Sequence, residues 1–153
     1  MTVPSTEIDT LPLFTNLSHT RRAAIAGVSR ITTYAAGTRL FEEGGLADRC
    51  RLVPSGCVVV DAATGPHGRV AVESVGPGEI VGWSWLVPPY RWHFGAGVVS
   101  PTRAAVVDTA ELRRLADEDP ALGYQLSLVL LDAVLNRLQA TRTRLVDLHR
   151  SSS

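Results

Sequence analysis

Residues 78–94, Gly-Glu-Ile-Val-Gly-Trp-Ser-Trp-Leu-Val-Pro-Pro-Tyr-Arg-Trp-His-Phe, contain all 3 tryptophans of the chain, a Pro-Pro pair and a single arginine. A glycine-bounded turn ahead of a short helix presents free backbone N–H groups, and such groups bind anions. Gly82 suits that turn because it lets the backbone approach a phosphate closely, and Ser84 can donate its hydroxyl from the same first turn. Arg91 neutralises the anion if the loop around Pro88-Pro89 carries it inward; otherwise it lies in solvent or stacks on Tyr90 or Trp92. Trp83, Trp85 and Trp92 either stack on a planar base, at about 1–3 kcal/mol per contact, or fill the mouth of the cavity. His93, alone among aromatics, reads as a packed and hydrogen-bonded core residue.

Other chemistries find little support. No Ser/His/Asp, paired-carboxylate or Cys/His constellation is legible, so catalytic residues are not expected. A metal-binding jelly roll of the cupin type needs clustered ligands, whereas His19, His67, His93 and His149 are scattered, and no metal is expected. Cys50 and Cys57 have no second pair and read as reduced strand residues. The 15 basic residues, all arginine, balance 15 acidic ones, which argues against a dedicated nucleic-acid binder. No secretory signal is visible near Met1. The apolar run from Leu128 to Leu135 is interrupted by Asp132 and is far short of the roughly 20 residues that span a bilayer. A cytoplasmic protein without membrane contact is expected.

The elements that must position these residues are predominantly β. At 153 residues one domain is the prior, placed at 11–150 with flexible tails at 1–10 and 151–153. Ser18 caps a short helix to Gly27. From Ile31 to Val107 short β-rich runs alternate with glycine-rich corners: Ile31 to Tyr34, Arg39 to Glu42, Cys50 to Pro54, Gly56 to Ala62, Val70 to Val75 and Gly97 to Val107. This spacing predicts an antiparallel β-roll, or jelly roll, and not alternating βαβ units. Thr109 caps a short helix through Ala116. Asp119-Pro120 then opens a long helix over 121–149, about 40 Å at 1.5 Å per residue. Its stripe of Leu122, Leu126, Leu130, Ala133 or Val134, Leu138, Thr141, Leu145 and Leu148 approaches a heptad seam, so a homodimer through this helix is expected. The arginines at its end, Arg137, Arg142, Arg144 and Arg150, read as a solvated face complementing the helix dipole, or as a docking surface for an acidic partner.

Four segments in this order resemble the cyclic-nucleotide-binding domain of catabolite-activator and Fnr-type regulators: 34–44, Leu52-Val-Pro-Ser-Gly56-Cys-Val-Val-Val60, Gly78-Glu-Ile-Val-Gly82, and Arg137-Leu-Gln-Ala-Thr141 on the long helix. The similarity runs from roughly Leu11 to Leu148. It implies a β-roll followed by a dimer helix and a ligand such as cyclic AMP or another cyclic nucleotide; with no helix-turn-helix after the long helix, a stand-alone module is expected. In that family a cassette glutamate holds the ribose, an arginine neutralises the phosphate and a helix threonine reads the base. Here the glutamate slot holds Trp83 or Ser84, the arginine slot falls at His93 or Phe94, and Thr141 matches the threonine.

The sequence thus predicts a non-enzymatic ligand-sensing module that signals through its dimer helix to a separate protein, without direct DNA binding. Its candidate ligand residues are Gly82, Trp83, Ser84, Trp85, Arg91 and Thr141. The alternative is a ligand-free adaptor dimer whose pocket is filled by tryptophans.

Overall fold

The computed structural model describes residues 14–151; the expected tail 1–10, the domain start at 11 and residues 152–153 lie outside the described residues. Ser151 belongs to the last helix and not to a tail. The elements run α1 (His19–Gly27), β1 (Ser29–Tyr34), β2 (Arg39–Phe41), β3 (Arg49–Ala63), β4 (Arg69–Val75), β5 (Glu79–Val81), β6 (Gly95–Asp108), α2 (Thr109–Glu118) and α3 (Pro120–Ser151). Every strand pairing is antiparallel, in the order β1-β6-β3-β4, with β2 also on β6 and β5 also on β3. The predicted β-roll with a long C-terminal helix is the observed architecture.

Two long strands, β3 of 15 residues and β6 of 14, make the roll by belonging to both of its halves. The sequence divides β3 in two at Pro54-Ser55-Gly56. In the structure these residues are an irregular stretch inside one strand, where the register on β6 shifts between Leu52 and Cys57. Gly56 takes φ +110° and a Cβ there would lie 2.4 Å from the Thr102 hydroxyl, so the bend needs glycine for both its backbone and its close approach.

Alternation along these strands sends side chains to two cores. On one side of the sheet Cys50, Leu52, Ile80 and Val107 meet Ile25 of α1, Leu112 of α2, and Leu122, Leu126 and Leu130 of α3. Inside the roll Val53, Val58, Val60, Val75, Val81, Ala96 and Val98 form a second cluster, against which Leu40 and Phe41 pack. Cys50 and Cys57 are free thiols, and burial pushes the Cys50 thiol up to about 12.

Local caps follow the side chains available. The Ser18 hydroxyl accepts from Arg21 N–H at 3.2 Å, as expected for α1. Asp108, one residue before the expected Thr109, caps α2 by accepting from Ala110 N–H at 2.8 Å. Thr109 is buried instead. Asp119 accepts from Leu122 N–H at the start of α3 and also receives the Arg21 guanidinium at 2.9 Å, which ties α1 to the α2–α3 corner.

Inside the roll mouth Arg39 bridges Asp61 of β3 at 2.6 Å and Glu42 at 2.7 Å, with its guanidinium lying over Gly95 and Gly97. Hydrogen bonding from Arg39 holds the Asp61 carboxyl below the usual carboxylate range. A depressed carboxyl stabilises the fold above its unfolded value, and that contribution disappears as pH falls through the folded value. Because Arg39 keeps 29 % of its side chain exposed, Asp61→Asn should cost about 1–3 kcal/mol at pH 7. Urea unfolding of both proteins checks this: the difference should begin to shrink below about pH 4, near the unfolded carboxyl's value, and disappear only as pH falls through the lower folded value.

Candidate functional site

Glu79–Val81 pairs with Arg51–Val53, which fixes the start of the cassette against the sheet. The chain then turns at Gly82, where φ is +72°. The short helix expected after Gly82 is only a single 3-10 turn, Ser84–Leu86. Three residues do not align enough peptide dipoles to act as a helix terminus, so this turn offers individual N–H groups and no macrodipole.

The tryptophans divide between core and cleft. Trp85 is 1 % exposed in the helix-side core, and its indole N–H donates to the Gly82 carbonyl at 3.2 Å. Arg113 of α2 donates to the Trp85 carbonyl at 3.0 Å and lies 4.6 Å from the Tyr90 ring centre, which anchors the cassette to α2. Trp85 is therefore a packing residue that holds the turn, and the expectation of ligand contact does not hold for its side chain. Trp92 is 4 % exposed and stacks on Phe41, with ring centres 3.7 Å apart and planes 8° off parallel. Its ring also covers Gly82, where a Cβ would lie 2.7 Å from the indole. Trp83 alone stays half-buried at the edge of the core, facing α3.

Arg91 does not join them. Its neighbours form a small ladder with the 44–47 loop, in which Gly44 N–H donates to the Trp92 carbonyl and Trp92 N–H to the Gly45 carbonyl. Arg91 is bridged to Leu46 within this ladder, and its side chain is exposed. The alternation explains the outcome: with Trp92 turned inward, Arg91 and His93 turn outward. His93 is exposed, against its expected place in the core.

A cleft lies between β4, β5 and α3, reached from the cassette by the Trp83 ring, and its centre is a residue that sequence reading assigned to a solvated helix face. Arg137 is 15 % exposed; it bridges Glu73 of β4 at 2.5 Å and Glu79 of β5 at 3.3 Å, and its guanidinium sits 5.6 Å from the Trp83 ring centre. One helical turn on, Thr141 lines the same groove with Ser74, Asn136 and Arg144. The groove measures about 320 Å³. Arg144 donates to the Val72 carbonyl of β4. Glu79 is pinned from its other oxygen by Gly76 N–H at 3.0 Å. The helix spacing from Arg137 to Thr141 signals a shared face; that Glu73 and Glu79 meet it is a tertiary fact.

Of the candidate residues, then, Trp83 and Thr141 flank one cleft through Arg137, and Gly82 and Ser84 form the turn beside it. Trp85 and Arg91 face elsewhere. Arg137, Arg144, Glu73 and Glu79 supply the cleft's charge. No group of His, Cys, Asp and Glu among the described residues has metal-binding geometry. No described helix is long and apolar enough to cross a membrane.

Comparison with known proteins agrees with this architecture. The model of the cyclic nucleotide-binding domain matches residues 31–119, more than half of the chain. Among solved structures, a protein from Geobacter metallireducens GS-15 described as cyclic nucleotide-binding is similar at 29% identity and TM-score 0.79, covering 89% of this chain and 98% of that one. The N-terminal domain of a transcriptional regulator from Streptomyces coelicolor A3(2) is similar at 26% identity and TM-score 0.67, over 88% and 94% of the two chains. The Thermus thermophilus catabolite activator protein shares the fold at 23% identity and TM-score 0.69; the match covers 90% of this chain and 63% of that one. None of the curated proteins matches. The β-roll, the cassette between β5 and β6 and the long helix closing over it are those of a known family, and this chain belongs to the cyclic nucleotide-binding domain family.

Proposed function

We propose that this chain is a non-enzymatic, cytoplasmic sensor that binds a cyclic nucleotide, such as cyclic AMP, or a related phosphate ligand in the cleft between the cassette and α3. The observation that carries this reading is Arg137, held by Glu73, Glu79 and the Trp83 ring at the place where the cassette faces the helix. The cassette has no guanidinium of its own in the cleft, so the phosphate charge would be met from the helix, by Arg137 with Arg144 one and a half to two turns on. Trp83 supplies an aromatic face, Thr141 a hydroxyl for the base, and Gly82 with Ser84 the polar edge of the turn.

The same arrangement gives a route to signalling. Two carboxylates, Glu73 and Glu79, hold Arg137, and through it α3, against β4 and β5. A phosphate that takes Arg137 from them changes what fastens the helix to the roll, and a ligand can shift a conformation only by such differential contact.

Signalling through α3 requires a partner copy, and the helix divides its apolar residues accordingly. Leu122, Leu126 and Leu130 of the expected stripe are buried in the protomer's own core and are not free for a dimer. A second stripe, Leu128, Leu131, Leu135, Leu138 and Leu145, is 47–63% exposed and keeps three- and four-residue spacing with Arg142 in between. This stripe is the proposed homodimer seam.

A second reading, a ligand-free adaptor dimer, is favoured by one observation: Trp92 lies directly on Gly82 and closes the turn from behind. Titration with cyclic AMP and cyclic GMP, followed by calorimetry and tryptophan fluorescence, separates the two. The sensor reading expects saturable heat and a change in Trp83 emission. A single charge-assisted contact contributes about 1.5–3 kcal/mol, so Arg137→Ala should weaken binding by about tenfold or more. No response to either nucleotide at millimolar concentration leaves the adaptor reading.

For the seam, sedimentation at micromolar concentration should show a dimer, and the paired change Leu131→Glu with Leu138→Glu should convert it to a monomer of unchanged helix content. A wild-type monomer would refute the seam.

A further inference from the structure

At the opposite edge of the sheet from the ligand cleft, β1 is a terminal strand. It pairs with β6 along Ser29–Tyr34, and among the described residues its backbone has no other strand partner. Unpaired N–H and C=O groups along a strand edge are a template for another extended chain. Arg30 and Thr33 of this strand are exposed.

Beside this edge the sheet carries positive charge on one face. Arg30 on β1 and Arg51 on β3 both lie opposite Val106 of the intervening β6, so the pairing puts the two arginines in one row. Thr32 and Tyr34 continue the same face of β1. These residues, with Arg49, line an open groove of about 790 Å³. The charges in the groove do not cancel. Arg49 bridges Asp48 and Asp108, and Glu111 is taken by Arg114. Among the described residues neither Arg30 nor Arg51 has a carboxylate partner. Arg51 is half-buried, with its Nε donating to the Tyr34 hydroxyl at 3.3 Å and its guanidinium 6.0 Å from the Phe41 ring centre. A partly desolvated guanidinium satisfied only by a phenol and a ring is a receptive partner for an anion.

We propose that the β1 edge and this groove dock an extended acidic segment of a partner protein by strand addition. Main-chain bonds to β1 would hold the segment, and its alternate residues, about 6.4–6.8 Å apart, would fall on the groove face beside Arg30, Thr32 and Tyr34, one of them in the row that Arg30 begins and Arg51 continues two strands further in. The two features select the same occupant: the edge requires an extended backbone, and the unmatched arginines of the Arg30 row require an acidic side chain on the groove face there. The groove is larger than a single phosphate needs, and Val28, Thr32 and Val106 between the charges suit a chain of mixed character. This docking does not depend on nucleotide binding, because the cleft at Arg137 is built from β4, β5 and α3.

The test uses the full chain and a fluorescein-labelled hexapeptide of alternating Thr and Glu, followed by anisotropy and by amide hydrogen exchange. The expected result is saturable binding at least about tenfold tighter than for the Thr-Lys counterpart, with slowed exchange confined to β1. Arg30→Ala, at an exposed position that leaves the Arg51–Tyr34 contact intact, should weaken binding by about tenfold. A Thr-Glu peptide N-methylated at alternate amides should not bind. Equal binding of the acidic and basic peptides, insensitivity to Arg30→Ala, or protection at the α3 cleft in place of β1 would overturn the proposal. So would saturation of the groove by pyrophosphate with no peptide binding, which would make it a small-anion site.

Discussion

Trp92 connects the parts of this protein that would otherwise be independent. Its ring lies flat on Phe41, which comes from β2 and touches the interior of the roll, while its other contacts belong to the helix-side core. Its backbone exchanges hydrogen bonds with the 44–45 turn, and its edge covers Gly82. A large aromatic inserted between two cores makes the cassette part of the packing and not a loop laid over it. The position of the turn, the outward direction of Arg91 and the exposure of His93 all follow from this one inward side chain.

Because the cassette is packed from behind, its chemistry is confined to the side that faces α3. There the protein uses charge from the helix. Arg137 is drawn to two carboxylates on β4 and β5 and to an aromatic face, so one guanidinium fastens the helix to the roll and also carries the cleft's positive charge. The pairing is partly shielded from water, where an ion pair is stronger than at an open surface and also more costly to leave half-made. Overall neutrality of the chain conceals this local arrangement: acids and bases balance in number, yet they are sorted into a bridged cluster at Arg137 and an unmatched pair at Arg30 and Arg51.

The long helix has a similar division of labour. One of its faces buries Leu122, Leu126 and Leu130 in the protomer, and another, running from Leu128 to Leu145, leaves a leucine stripe exposed. A 3.6-residue period allows both faces to be apolar over the same turns, and periodicity read from the sequence merges them into one stripe. Only the location of the roll tells which leucines are already covered.

What the sequence determined by itself was whatever depends on local backbone chemistry. Glycine-rich corners and alternating runs specified the antiparallel roll, Ser18 and Asp119-Pro120 specified helix starts, and the order of motifs pointed to the family, because these signals act over a few residues. The glycine turn at Gly82 was legible for the same reason. What only the tertiary structure decided was which side chains of that cassette face the core and which face the helix. Trp85 and Trp92 turned inward, Arg91 turned out, and Arg137 arrived from more than 40 residues away along the chain to meet Glu73 and Glu79. Inward and outward are set by packing against distant elements, and ion pairs between strands and a helix have no sequence spacing of their own, so no local pattern encodes them.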